Sequence, residues 1–373
     1  MTLNPKPRTI RHPRGHPLEF EQVLEAKNQN FVGREFVFTA ISNFSLHYNR
    51  GYFTIVGVPG SGKSAILANY VRENSHILYY NAQVQSKHLA EEFLVTICSQ
   101  LINQYPLHIS LPDKATEGSW FLSLLLQKIS DQLQSHQKLI IAIDALDVVD
   151  YKNQSSGSNI FYLPRYLPDG VYFILTRRPF LREKSGLLIE TPSQTLNLSE
   201  FSKQNREDVQ RYIQQYLISR SLLTEKGVES WEGLHISKEE FIARLMTESE
   251  SNFMYLNQIL LAIAEGFYSE SWQHHRLPPG LEAYYQQHWE KMTTEGLSDI
   301  ALKVLLVLTS VKQAEGVLVD AIAQIINEDE YNVEEVLENW FEFLQQQEVD
   351  GEVRYSLYHS SFRLWLVQQI SNL

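Results

Sequence analysis

Residues 52–71, YFTIVGVPGSGKSAILANYV, run from a block of apolar residues through a glycine-rich turn into an apolar period of three to four. Tyr52 to Val56 predicts a buried strand, and Ile66, Leu67 and Tyr70 predict one face of the helix that follows. Between them Gly57, Gly62, Lys63 and Ser64 satisfy G-x-x-x-x-G-K-[ST], with Gly60 and Ser61 inside the loop and Ala65 opening the helix. Glycines let backbone N–H groups turn inward around phosphate oxygens. Lysine neutralises the β and γ oxygens, the serine hydroxyl ligates Mg²⁺, and the helix N-terminus behind them favours negative charge. A strand, a loop and a helix of this kind predict an α/β chain built on a parallel sheet.

A phosphate loop needs a second acidic element to hold the metal. KLIIAIDALDVVD supplies a buried strand, Leu139 to Ile143, ending in Asp144, which is expected to share Mg²⁺ with Ser64. A third strand, VYFILT, delivers Thr176, Arg177 and Arg178 to the same edge of a parallel sheet, where ligands of such sheets bind. Two cations directly after a buried strand favour phosphate sensing over a solvated loop.

The 373 residues allow two or three domains, and 43% hydrophobic with 20% charged residues exclude a disordered chain. No apolar run approaches the roughly 18 residues of a membrane helix, and the N-terminus lacks the apolar core of a signal peptide, so a cytoplasmic location is expected. Cys98 is the single cysteine, which excludes a disulfide framework and a cysteine metal cluster. It lies on the apolar face of LAEEFLVTICSQLI and is expected to be a small buried hydrophobe. The net charge of −12 argues against a broad nucleic-acid surface. Residues 1–30, with Lys6, Arg8, Arg11 and Arg14 among prolines, read as a flexible basic tail.

FVGRE at 31–35, GVPGSGKS at 57–64, IDALD at 143–147 and LTRRP at 175–179, in that order, resemble the NACHT class of signal-transduction ATPases with numerous domains, the STAND group. ESNFMYLNQILL at 250–261, LPPGLEAYYQQHWEKM at 277–292 and YHSSFRLWL at 358–366 continue the likeness to near the last residue. The resemblance implies that Val32, Gly33 and Arg34 border the adenine, with Asn252 and Phe253 in the helical segment beside it. It implies that Arg178 is the first sensor and that His359 touches the β-phosphate of ADP. Val148 stands where the family usually has glutamate, which leaves Asp147 and Asp150 to orient water and makes hydrolysis slow. Arg177 replaces the usual small serine before the sensor.

The nucleotide-binding domain is expected over 31–200, a helical domain over 201–293 and a winged helix over 294–373. Val209, Tyr212, Ile213, Tyr216 and Leu217 share a helical face, and Asp350-Gly351 between strand-like arms is a hairpin signal. The helix before that hairpin carries Glu334, Glu335, Glu338 and Glu342 without a lysine or arginine, whereas phosphate backbones bind through cations. This disfavours an origin-recognition type AAA+ ATPase acting on DNA, which is the alternative together with a nucleotide scaffold that never hydrolyses ATP.

The family resemblance implies a switch, closed with ADP and self-associating with ATP, that relays a signal, in defence among other settings. No repeat of 20 to 50 residues is present, so the sensor and effector are expected on a longer protein or on separate partner chains. A histidine bond to a charged phosphate is worth about 1.5–3 kcal/mol, whereas inverting a two-state equilibrium takes about 5.5 kcal/mol. His359 alone therefore cannot lock such a switch.

Overall fold

The structure is a computed structural model that describes residues 16–371 apart from 151–153, 156, 181–185, 222–236, 265–276, 295, 312–315 and 350. The basic residues Lys6, Arg8, Arg11 and Arg14 and the turn residue Asp350 lie outside the described residues. The chain divides into two compact units. The first takes the chain up to Gly57, Lys63–Arg178 and Glu183–Gln204; the second takes Val58–Gly62, Pro179–Arg182 and Asn205 onward.

The first unit carries, in chain order, α1 (Leu18–Asn28), α2 (Glu35–His47), β1 (Gly51–Val56), α3 (Lys63–Glu73), β2 (Leu78–Asn81), α4 (Ala90–Gln104), α5 (Trp120–Ser130), β3 (Leu139–Asp144), β4 (Val171–Arg177) and β5 (Ser193–Asn197). The five strands form one sheet in the order β2-β3-β4-β1-β5, and each neighbouring pair is parallel. Every residue of β1, β3 and β4 is buried, as befits parallel strands covered on both faces, which read as continuous apolar runs rather than alternations.

The crossover order has a functional consequence. β4 lies between β1 and β3, so Val56 stands opposite Arg177 and Ile143 opposite Leu175. The C-terminal ends of the loop-bearing strand and the acidic strand are thus separated by the end of β4, which brings Thr176 beside Asp144.

Helix α1 corrects the expected tail over 1–30. Phe20 and Leu24, four residues apart and therefore on one helical face, are buried in the first unit's core, with Phe20 edge-on to Tyr79 and Tyr80. From Leu18 the segment is part of the first unit. Cys98 is fully buried on α4, and burial pushes its thiol up to about 12, consistent with the inert hydrophobe expected of it.

The second unit carries α6 (Ser202–Ser221), α7 (Lys238–Glu248), α8 (Phe253–Ala264), α9 (Pro279–Met292), α10 (Asp299–Ser310), α11 (Val319–Ile326), α12 (Glu330–Asn339), the hairpin β6 (Leu344–Val349) and β7 (Glu352–Leu357), and α13 (Ser360–Ile370). Val209, Ile213, Tyr216 and Leu217 are buried along α6. The helical and winged segments, expected as separate domains divided near residue 293, share one apolar core: Val209, Leu256, Tyr285, Leu305, Phe343 and Phe362 belong to a single cluster.

From α10 onward the order is three helices, a hairpin and a helix, the connectivity expected of a winged helix. Val349 pairs with Glu352 across a two-residue turn, where Gly351 has φ +82°, as the tight hairpin turn requires. Glu334, Glu335 and Glu338 lie on α12, but Glu342 falls in a 3-10 turn beyond it and pairs with Lys291 at 2.7 Å. Asp329 caps α12 by accepting from Tyr331 N at 2.9 Å. Among the described residues no helix is long and apolar enough to cross a membrane.

Candidate functional site

The loop between β1 and α3 is built by left-handed glycines, with φ +79° at Gly60 and +94° at Gly62. Ser61 N–H closes a turn onto the Val58 carbonyl at 3.2 Å. Helix α3 opens at Lys63, so the N–H groups of its first turn, Ser64 and Ala65 included, have no partner within the helix and form an anion-attracting end. The Lys63 ammonium donates to the Gly57 carbonyl at 2.6 Å, which holds it across the loop it would serve.

Asp144 ends β3 and is completely buried. One carboxylate oxygen accepts from Ser64 Oγ at 3.1 Å and from Thr176 Oγ1, the other from Asn81 Nδ2 at 3.2 Å and Tyr79 OH at 3.5 Å. Thr176 in turn accepts from Ala145 N at 2.9 Å, which fixes its hydroxyl toward the carboxylate. Burial pushes the Asp144 carboxyl above its ordinary 3.8, against the opposing pull of the Thr176 and Ser64 bonds and the charges of Lys27 and Lys63.

A hydroxyl and a carboxylate in mutual contact are the oxygen donors Mg²⁺ takes. Among the described residues no group of three or more His, Cys, Asp or Glu could hold a metal unaided. Mg²⁺ commonly takes one or two protein oxygens and completes its shell with phosphate and water. The fold is that of a P-loop NTPase.

Beyond β3, Ala145 is left-handed with φ +58° and starts a 3-10 turn, Leu146–Val148. This swings Asp147 back over β4, where its Oδ1 accepts from Arg178 N at 2.9 Å and its Oδ2 lies 3.4 Å from Arg178 Nε. The two groups expected to orient water and sense phosphate are therefore paired with each other. Val148 packs partly buried against the first unit's core, and Arg177 is buried at the end of β4. Asp150 N–H donates to the His88 carbonyl at 3.0 Å.

Val32, Gly33 and Arg34 form the entry to α2. Gly33 and Arg34 are both left-handed, at φ +69° and +68°. Arg34 is buried with its guanidinium 5.9 Å from the Phe36 ring centre.

The remaining expected residues lie in the second unit together with loop residues 58–62. Asn252 Nδ2 donates to the Pro59 carbonyl at 3.0 Å, and its Oδ1 accepts from Tyr255 N at 3.0 Å as the cap of α8. Phe253 N donates to the Gly60 carbonyl at 2.9 Å. The side chain of Asn252 thus serves the loop backbone and the helix rather than presenting a free edge to a base. His359 caps α13: its Nδ1 accepts from Ser361 N at 3.1 Å, so its Nε2 donates to the Ser249 carbonyl at 3.2 Å. In this conformation both ring nitrogens are engaged inside the unit, and contact with a phosphate requires exchange of the Ser249 bond.

Asn81, Tyr79 and the role of Thr176 escape a reading of the sequence. Asn81 could have been noticed as a polar residue closing the apolar run ILYY, but only the β2-β3 pairing, Asn81 opposite Asp144, reveals what it faces.

The family model Nephrocystin 3, N-terminal, matches residues 41–162, from α2 through the phosphate loop to beyond Asp144 and less than half of the chain. No curated protein matches. Among solved structures, Drosophila ORC bound to DNA is 14% identical over 94% of this chain and 98% of its own, with a TM-score of 0.39. The Thermotoga maritima RuvB Holliday junction branch migration motor is 13% identical over 92% of this chain and 98% of its own, with a TM-score of 0.31.

One pH effect follows from the geometry around α13. Burial pushes the His359 imidazole below its ordinary 6.5, opposed by the nearby Glu250 charge and by bonds to the Ser249 and Glu248 carbonyls. The folded protein then holds fewer protons than the unfolded chain just below pH 6.5, so stability falls as pH drops through that value toward the depressed one. The slope from this group reaches at most about 1.4 kcal/mol per pH unit. His359→Asn retains a cap acceptor and does not titrate, so urea midpoints from about pH 7 to about pH 5 should flatten relative to the parent. Equal slopes in both proteins would show that His359 is not the group responsible.

Proposed function

We propose that this chain is a Mg²⁺-dependent ATP/ADP switch of the NACHT type within the STAND group, with slow hydrolysis. The observation that carries it is the contact of Ser64 Oγ with the buried Asp144 carboxylate at 3.1 Å, directly behind a glycine-rich loop that ends in Lys63. Ser64 and Asp144 would hold the ion, and Lys63 with the first-turn amides of α3 would hold the β- and γ-phosphates. Held by Ser64 and Asp144, Mg²⁺ would supply positive charge to neutralise the phosphates.

Hydrolysis is slow in this proposal because Asp147 is committed to Arg178 and Val148 supplies no second acid. A general base contributes about 100- to 10,000-fold to such a step. The residual turnover is assigned to the fraction of time in which the Arg178 pair opens and frees Asp147 as base. Asp147→Asn should therefore lower the already small turnover by at least about tenfold while leaving ADP affinity within about twofold. An unchanged turnover would remove Asp147 from the catalytic role.

The ATP form is proposed to self-associate, and sensing and output fall to further segments or separate protein partners. The third helix of the winged segment argues against DNA as the partner, since α12 offers Glu330, Glu334, Glu335 and Glu338 and no lysine or arginine.

Denaturing the purified protein and identifying the released nucleotide tests the whole proposal. Stoichiometric ADP is the expected result, with a larger species on sizing after exchange into ATP. An empty protein that turns ATP over steadily would overturn the switch.

A further inference from the structure

The turn joining α7 to α8 is held from two sides within the second unit. On one side Asn252 Nδ2 donates to the Pro59 carbonyl and Phe253 N to the Gly60 carbonyl. On the other side the Ser249 carbonyl accepts from His359 Nε2, and the Glu250 carboxylate accepts from Ser360 N at 3.0 Å and from Ser360 Oγ. The Ser249 carbonyl also accepts from Asn252 N, so one backbone oxygen joins the residue that grips the loop to the residue that caps α13.

The turn's backbone is costly. Glu250 and Ser251 are consecutive non-glycine residues in the left-handed region, at φ +48° and +63°. Such conformations persist where the surroundings over-determine them, and here the two sets of bonds do so.

The loop is shaped to receive this grip. A Cβ on Gly60 would lie 2.1 Å from Asn252 Oδ1, so only glycine allows the approach. In a trans peptide the carbonyl and the following N–H point in opposite directions. Tying the Pro59 carbonyl to Asn252 therefore aims Gly60 N–H away from the turn. The Asn252 Oδ1 is already used by Tyr255 N, which leaves Nδ2 as the end turned to the loop.

We propose that the Ser249–Asn252 turn is a positioning element that sets the Pro59–Gly60 peptide for phosphate, and that the N-terminus of α13 loads this turn through Glu250 and His359. It rests on the phosphate-loop function proposed above for Gly57 to Ser64. Asn252 is a positioning residue in this scheme, and movement at the start of the last helix is transmitted to the loop without a ligand between them.

The test is amide hydrogen exchange on the nucleotide-free full chain, with Mg²⁺-ADP affinity measured alongside. Asn252→Ser keeps a neutral cap for α8 but loses the reach to Pro59. Exchange at residues 60–62 should rise about tenfold and ADP affinity fall about tenfold, with the thermal midpoint nearly unchanged. Glu250 bonds Ser360 on the α13 side of the turn, yet Glu250→Ala should raise exchange both at 360–363 and at 60–62; Ser360→Ala should do the same from the other partner. Unchanged exchange at 60–62 in Asn252→Ser, or a Glu250→Ala effect confined to 360–363, would overturn the proposal. Because exchange is read without nucleotide, a parent protein that binds no ADP but shows both exchange effects would refute the phosphate function and leave the mechanical coupling standing.

Discussion

Lys63→Ala should weaken Mg²⁺-nucleotide binding by about 100- to 1,000-fold, or ~3–4 kcal/mol, while leaving the fold intact. Lys63 is the cation that the loop itself carries. Its ammonium donates to the Gly57 carbonyl at 2.6 Å, which places it across the loop. The loss falls on the phosphates: two or three charge-assisted bonds, each worth about 1.5–3 kcal/mol, would be replaced by water or by nothing. Calorimetric titration with Mg²⁺-ADP and Mg²⁺-ATP, together with a thermal melt without nucleotide, gives both quantities. Parent-like affinity in Lys63→Ala would remove the foundation of the proposed function.

Asp144→Ala should act on stability and on metal dependence together, because Asp144 is at once a buried acceptor and a proposed metal ligand. Its carboxylate satisfies donors from Ser64, Thr176, Asn81 and Tyr79 in a site with no solvent exposure at Asp144 itself. Leaving a buried donor unsatisfied costs about 1–3 kcal/mol. Tyr79 and Asn81 can partly compensate one another, since Asn81 Nδ2 also donates to Tyr79 OH at 3.0 Å. A net loss of about 3–5 kcal/mol follows, near the cost of removing one partner of a buried charged network. The thermal midpoint of the first unit should drop by roughly 6–15 °C. Asp144→Asn keeps one acceptor oxygen and should lose about half as much. In both variants nucleotide affinity should become nearly independent of Mg²⁺. A variant that melts like the parent and keeps its Mg²⁺ dependence would place the metal elsewhere.

The legible part of the site consists of residues whose chemistry is written locally. The phosphate loop is one contiguous segment, and its glycines, lysine and serine have fixed mechanical duties between a buried strand and a helix start. Asp144 was legible because an apolar strand ends on it. The hairpin was legible from a two-residue turn, and Gly351 has the positive φ that turn needs. The tail was misread because the prolines and cations of residues 4–14 outweighed the Phe20 and Leu24 pair that begins a buried helix four residues after Arg14 and beyond. The helical and winged segments looked separable because their periodicities differ, yet their apolar faces complete one core.

The sequence by itself determined which residues can meet phosphate and metal, since loop geometry, charge and the alternation of strands and helices are short-range properties. Only the tertiary structure decided what those residues face. Strand order placed β2 and β4 on either side of β3 and so aimed Asn81 and Thr176 at Asp144. The left-handed step at Ala145 turned Asp147 onto Arg178. A turn almost 200 residues from the loop, at a sequence separation of 193 between Asn252 and Pro59, came to hold the loop's backbone. Such pairings depend on how buried strands and helix faces pack, and packing joins residues that no local pattern connects.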